Sequence, residues 1–180
     1  DNHAYGIPLT GSGTKEAITS LTREDMQAFH ETWIRPSNGT LFVVGDTTME
    51  KILPQLEQAF GDWKENRKAV PVKNLASVEL PTEARVFIID KPDSPQSLIL
   101  AGHVAPPTGA ENNLDITTMN DILGGQFTAR VNMNLREDKS WSYGARTLFV
   151  NSRGQRPWLV YAPVQTDKTM ESLQELEKEF

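Results

Sequence analysis

At 180 residues, 38% apolar and 23% charged, the chain has the composition of a folded globular protein, long enough for one sizeable core or two small lobes. A formal net charge of −6 with no run of Lys or Arg argues against a nucleic-acid partner, and no stretch approaches the ~18 apolar residues of a membrane span. The lack of cysteine excludes disulfides and thiolate metal sites.

Residues 1–20, rich in Gly, Thr and Ser, read as an opening loop. Thr22 followed by Glu24 and Asp25 is a helix start, a hydroxyl cap with acids in the first turn, where the macrodipole favours them. Met26, Phe29 and Trp33 continue that helix until Pro36. After the Asn38-Gly39 turn, residues 40–44 predict a buried strand ending at Gly45-Asp46. Thr47 or Thr48 caps the next helix, with Ile52, Leu53, Leu56, Phe60 and Trp63 on its apolar face; Pro54 fits only if it falls in the first turn. Residues 64–82 lack periodicity and predict an extended connector within a single half-domain, 1–180.

Residues 85–90 and 96–104 predict two strands joined by a turn at 91–95. A helix follows over 112–123, with Leu114, Ile116, Met119, Ile122 and Leu123 as its apolar set, and another over 127–138. Strands near 143–150 and 157–163, joined by a polar turn at 151–154, precede a closing amphipathic helix over 167–180. The last helix ends at Phe180 with no Gly or Pro stop, and the chain begins at Asp1 without methionine, so a piece of a longer protein is expected. Strands joined directly as hairpins, with helices between others, predict an α+β fold with a mainly antiparallel sheet covered by helices on one face.

Few residues carry chemistry by themselves. His3, His30 and His103 are the only histidines, and neither His-Glu-x-x-His nor His-x-x-Glu-His can be written, so no zinc site is expected in this chain. Gly11-Ser12-Gly13 and Gly124-Gly125 lack the fingerprint of a nucleotide loop and predict turns and close helix packing. There is no Gly-x-Ser-x-Gly elbow. Trp33, Trp63, Trp141 and Trp158 form no stripe and predict ordinary packing, and Glu171, Glu175, Glu177 and Glu179 a solvated helix face. Arg136 and Tyr143 stand seven positions apart, one at a predicted helix end and one at a predicted strand start. Taken alone this is unremarkable, since a cation in a last helical turn is stabilised by about 0.3–1 kcal/mol from the macrodipole.

The surrounding order of segments says more. Leu21-Thr22-Arg23-Glu24-Asp25, the run Leu41 to Asp46, Phe60-Gly61-Asp62-Trp63, Lys91-Pro92 with Pro95-Gln96-Ser97, and Leu123 to Gly144 together resemble the C-terminal, non-catalytic half-domain of insulinase/pitrilysin-type zinc metallopeptidases. That resemblance implies a zinc-bearing half-domain as partner, with zinc and the catalytic residues in that half and none here. It implies substrate-binding roles for Arg136, as a forked donor to a peptide carbonyl, and for Tyr143, as a donor to the scissile carbonyl and its oxyanion. The expected ligand is an extended peptide, the expected activity of the isolated chain is none, and a bacterial cell envelope is the compartment the resemblance leans towards. Two alternatives stay open: a structural or assembly subunit of the same fold, and the C-terminal part of the zinc-bearing half.

Overall fold

The computed structural model describes residues 3–6, 11–65 and 69–180; parts of the opening loop and of the connector, including Lys68, lie outside the described residues. Two compact units divide the chain, Asp1–Asn74 and Leu75–Phe180. The boundary falls inside the stretch 64–82 read as a connector.

The first unit is made of helices fixed by local signals. Within the expected opening loop, α1 (Lys15–Ser20) starts where the Thr14 hydroxyl accepts from the Ala17 N–H at 3.1 Å. In front of α2 (Arg23–Trp33), Thr22 and Asp25 form a reciprocal box: the Thr22 hydroxyl accepts from the Asp25 N–H at 3.1 Å, and the Asp25 carboxylate accepts from the Thr22 N–H at 3.0 Å. Pro36 then opens a 3₁₀ turn. In α3 (Met49–Phe60), Pro54 is the sixth residue, so it sits beyond the first turn that was expected to hold it. No residue of α1, α2 or α3 is buried.

Two expected strands are absent. Residues 40–44 and 85–90 form no strand and join no ladder, and Val44 and Ile88 are 98% and 91% exposed. The apolar runs are those of a buried strand, but neither has a partner backbone among the described residues, and an unpaired strand leaves its N–H and C=O groups to water.

The second unit holds the core. Strands β1 (Gln96–Ala105), β2 (Arg146–Phe149) and β3 (Arg156–Gln165) form an antiparallel sheet in the order β1-β3-β2. Val160, Ala162 and Val164 alternate along β3 and so share one face. Ile99, opposite Ala162 on β1, joins them, and Val131, Leu135 and Leu176 cover them from the helices. Each such side chain contributes on the order of 1.5–3 kcal/mol on burial. The expected antiparallel sheet with helices on one face is thus what forms.

Its helices depart from the predicted pattern. In α4 (Asn113–Asn120), Leu114 and Met119 of the expected apolar set are exposed, as is Ile122 just beyond, and the buried residue is Asn120. What docks this helix is polar and close: the Trp158 Nε1–H donates to Asn120 Oδ1 at 2.7 Å, and α4 widens into a π-helical turn, Asp121–Gly125. There a Cβ on Gly124 would lie 2.6 Å from Thr147 Oγ1 and 2.7 Å from its backbone nitrogen, so glycine is required for the approach to β2. The helix expected over 127–138 is a short α5 (Arg130–Asn132) running into a second π-helical turn, Met133–Asp138.

At the far end of the sheet Arg156, fully buried, donates to Pro106 O and Asn151 Oδ1, both at 3.0 Å, and to Asn113 Oδ1, and lies 4.4 Å above the Phe149 ring. It ties the loop before α4 to the β2–β3 hairpin without a carboxylate. Helix α6 (Thr169–Glu179) closes the unit. Its acidic face is only in part solvated: Glu175 accepts from Asn134 Nδ2 at 3.0 Å, and Glu179 pairs with Arg130 Nε at 2.9 Å. Lys178 and then Asn134 hold the Glu175 carboxyl below its usual range.

Candidate functional site

Arg136 and Tyr143 come together. The Arg136 guanidinium lies 5.4 Å from the Tyr143 ring centre on one side and 4.5 Å from the Phe127 ring centre on another. A cation against aromatic faces is attracted by the ring quadrupoles. Glu137 Oε1 stands 3.4 Å from Arg136 Nε, and among the described residues no hydrogen bond takes up the guanidinium N–H groups or the Tyr143 hydroxyl. Tyr143 is 86% exposed, whereas the Arg136 side chain is 30% exposed.

Each member is mounted on fixed backbone. Arg136 belongs to the π-helical turn that continues α5, whose Val131 and Leu135 are anchored in the core. Wide turns of this kind often re-aim side chains at functional sites. Ser140, with φ of +57°, reverses the chain, and the Trp141 and Ser142 N–H groups both return to the Leu135 carbonyl, at 3.0 and 3.2 Å. Ser142 Oγ donates to Pro163 O at 2.6 Å and accepts from the Gly144 N–H at 3.1 Å. Tyr143 therefore precedes β2 rather than opening it, as the sequence had predicted. Phe127 sits in the turn before α5, where its carbonyl accepts from Asn132 Nδ2 at 2.7 Å.

The nearby charges are paired locally. Lys139 Nζ lies 2.7 Å from Asp138 Oδ2, and this hydrogen bond, with the Asp138 charge, raises the Lys139 pKa. Asp138 and Glu137 are thus each engaged by a cation, and neither supplies an isolated carboxylate for acid–base work.

His103 Nδ1 lies 2.7 Å from the Val104 carbonyl on β1. Among the described residues no group of three or more His, Asp or Glu side chains could hold a metal ion, and a zinc site does not fit this donor set. No described helix is long and apolar enough to cross a membrane.

Sequence reasoning named Arg136 and Tyr143 but missed Phe127 and Asn132. Phe127 passed as the first residue of a helix. Asn132 carried a weak signal: an amide is a poor helix former, and this one stands one turn before Arg136.

The second unit is an α+β domain, and no metal-ligand cluster occurs among the described residues of the chain. The comparisons with known proteins make this specific. The profile of the peptidase M16 inactive domain matches residues 20–180, and the chain belongs to that family, as an insulinase-like C-terminal half-domain. An uncharacterized zinc protease of Bacillus subtilis, YmxG, is 25% identical over 142 residues, 79% of this chain and 32% of that protein. A Mycobacterium leprae relative, the uncharacterized zinc protease ML0855, is 21% identical over 97% of this chain and 39% of its own length. A protease from Helicobacter pylori superposes with a TM-score of 0.81 at 20% identity, over 92% of this chain and 40% of that one. The peptidase M16 inactive domain from Pseudomonas fluorescens does so at 0.72 and 19%, over 93% and 40%. The chain thus spans about a third to two fifths of these relatives.

Proposed function

We propose that this half-domain binds an extended peptide and positions it for a zinc-bearing half-domain, with Arg136 and Tyr143 as the peptide-binding pair. One observation supports the reading: two side chains seven residues apart meet, the Arg136 guanidinium lying 5.4 Å from the ring centre of the exposed Tyr143. The Arg136 fork donates to a peptide carbonyl, and its contacts with Phe127 and Tyr143 limit its rotamers before the peptide arrives, which lowers the entropic cost of binding. The Tyr143 hydroxyl donates to a second carbonyl and strengthens as charge develops on that oxygen. Zinc belongs to the partner half, and this chain alone is inactive. The edge of β1, which pairs with no second strand among the described residues, offers a further means of holding an extended chain, by strand addition.

The test is cleavage of an unfolded peptide by this chain together with its zinc-bearing half. Arg136→Ala and Tyr143→Phe are each expected to lower kcat/KM by at least tenfold, and by up to about 10²–10³ where the lost donor serves the developing oxyanion. Zinc content and unfolding temperature stay unchanged. Wild-type rates in both variants would contradict the reading, and an assembly that cleaves no peptide would point to a structural subunit.

A further inference from the structure

The peptide-binding pair is carried by three separate stretches of chain: the turn with Phe127, the helical run with Arg136 and the segment with Tyr143. A single buried amide touches all three. Asn132, 4% exposed, lies on α5 one turn before Arg136. Its Nδ2 donates to the Phe127 carbonyl at 2.7 Å, and its Oδ1 accepts from the Ala145 N–H at 3.1 Å, two residues past Tyr143. Both ends of the carboxamide are used, one on the turn that carries Phe127 and the other on the segment that carries Tyr143. Nothing apolar of this size could do this, and a carboxylate could accept from Ala145 but not donate to Phe127.

We propose that Asn132 is a positioning residue for the peptide-binding site: its carboxamide sets the distance between the Phe127 and Tyr143 rings and so fixes where the Arg136 guanidinium lies between them. It touches no substrate and acts through the three side chains it aligns. The proposal rests on the peptide-binding reading for its effect on rate, but its effect on geometry stands apart from that reading. Burial makes the site sensitive, because an unsatisfied polar atom in the interior cannot turn to water. An ångström of misplacement at a binding site can cost up to about 10² in rate. Val131 and Leu135, on the same helical run, belong to the buried core cluster.

The experiment pairs two readouts on Asn132→Asp and Asn132→Leu. In the first, kcat and KM are measured with the zinc-bearing half, in the wild-type background and in Arg136→Ala/Tyr143→Phe. A positioning residue lowers kcat/KM by roughly ten- to a hundredfold in the first background and has no further effect in the second. An equal loss in both backgrounds would mean a general structural role and would overturn the proposal. In the second, nuclear Overhauser contacts are recorded between Arg136 and the Phe127 and Tyr143 rings, with Leu135–Val160 contacts as the core reference. The ring contacts are expected to vanish in both Asn132 variants while the core reference persists. Their survival would overturn the proposal. If Arg136→Ala and Tyr143→Phe leave cleavage unchanged, the peptide-binding reading fails, and the ring contacts alone decide the role of Asn132.

Discussion

The two units of this chain obey different rules. In Asp1–Asn74 side-chain caps start α1 and α2 while α3 tolerates Pro54 in its interior, and no residue of α1, α2 or α3 is buried. In Leu75–Phe180 the local pattern is repeatedly overridden: α4 exposes much of its apolar set, two helical runs widen into π turns, and glycine rather than leucine makes the closest helix–strand approach. Every member of the buried apolar core lies in this second unit. So does the Arg136–Tyr143 site. Local signals suffice to place elements, but a surface site whose parts come from three stretches of chain needs a core beneath it.

The largest effect that sharpens this contrast is in the core. Leu135→Ala, at a position 1% exposed, is expected to cost about 2–5 kcal/mol by removing transfer energy and leaving a cavity. The matching change in the first unit, Ile18→Ala at 62% exposure, is expected to fall within about 0.5 kcal/mol of zero. Thermal unfolding of the two variants checks the pair. Equal losses would show that the first unit has apolar packing of its own.

A smaller effect belongs to the first unit. Thr22→Ala removes the hydroxyl of the capping box and is expected to weaken α2 by about 1 kcal/mol, read as faster amide exchange in α2 with the second unit's protection unchanged. The same cap has a pH signature. Hydrogen bonds from the Thr22 side chain, then its backbone, hold the Asp25 carboxyl below its ordinary 3.8. A carboxyl with a lowered folded pKa contributes its stabilisation fully above the unfolded value and loses it as pH falls through the folded one. Protection of α2 should therefore be flat from neutral pH to about 5 and decline below about 4. Decline in the Asp25→Asn variant over the same range would exclude Asp25 as its cause.

Much of the fold was legible in the sequence. The Thr22 cap, the Asn151 to Gly154 turn and the alternation along β3 are local or period-two signals, and each element stands near where it was expected. The segments 40–44 and 85–90 failed for the opposite reason. Their composition is that of a strand, but a strand is a property of two backbones, and β1 and β3 have each other while these runs have no described partner. The helix at α1 was missed although Thr14 and Glu16 announce it, because the surrounding glycines dominated the reading. Of the proposed site, Arg136 and Tyr143 were suggested by the resemblance carried by the order of segments around them. Phe127 and Asn132 were not, since their roles are a ring contact and two hydrogen bonds made across the fold.

The central claim is that peptide is held at the Arg136–Tyr143 surface and not at the exposed apolar runs of Leu41–Val44 and Val86–Ile89. The most direct measurement is photo-crosslinking of an unfolded peptide bearing a benzophenone side chain, with the attachment sites mapped by mass spectrometry. Cross-links concentrated around Phe127, Arg136 and Tyr143, and lost in Arg136→Ala, are the predicted result. Cross-links centred on the two apolar runs, or indifferent to Arg136→Ala, would contradict it.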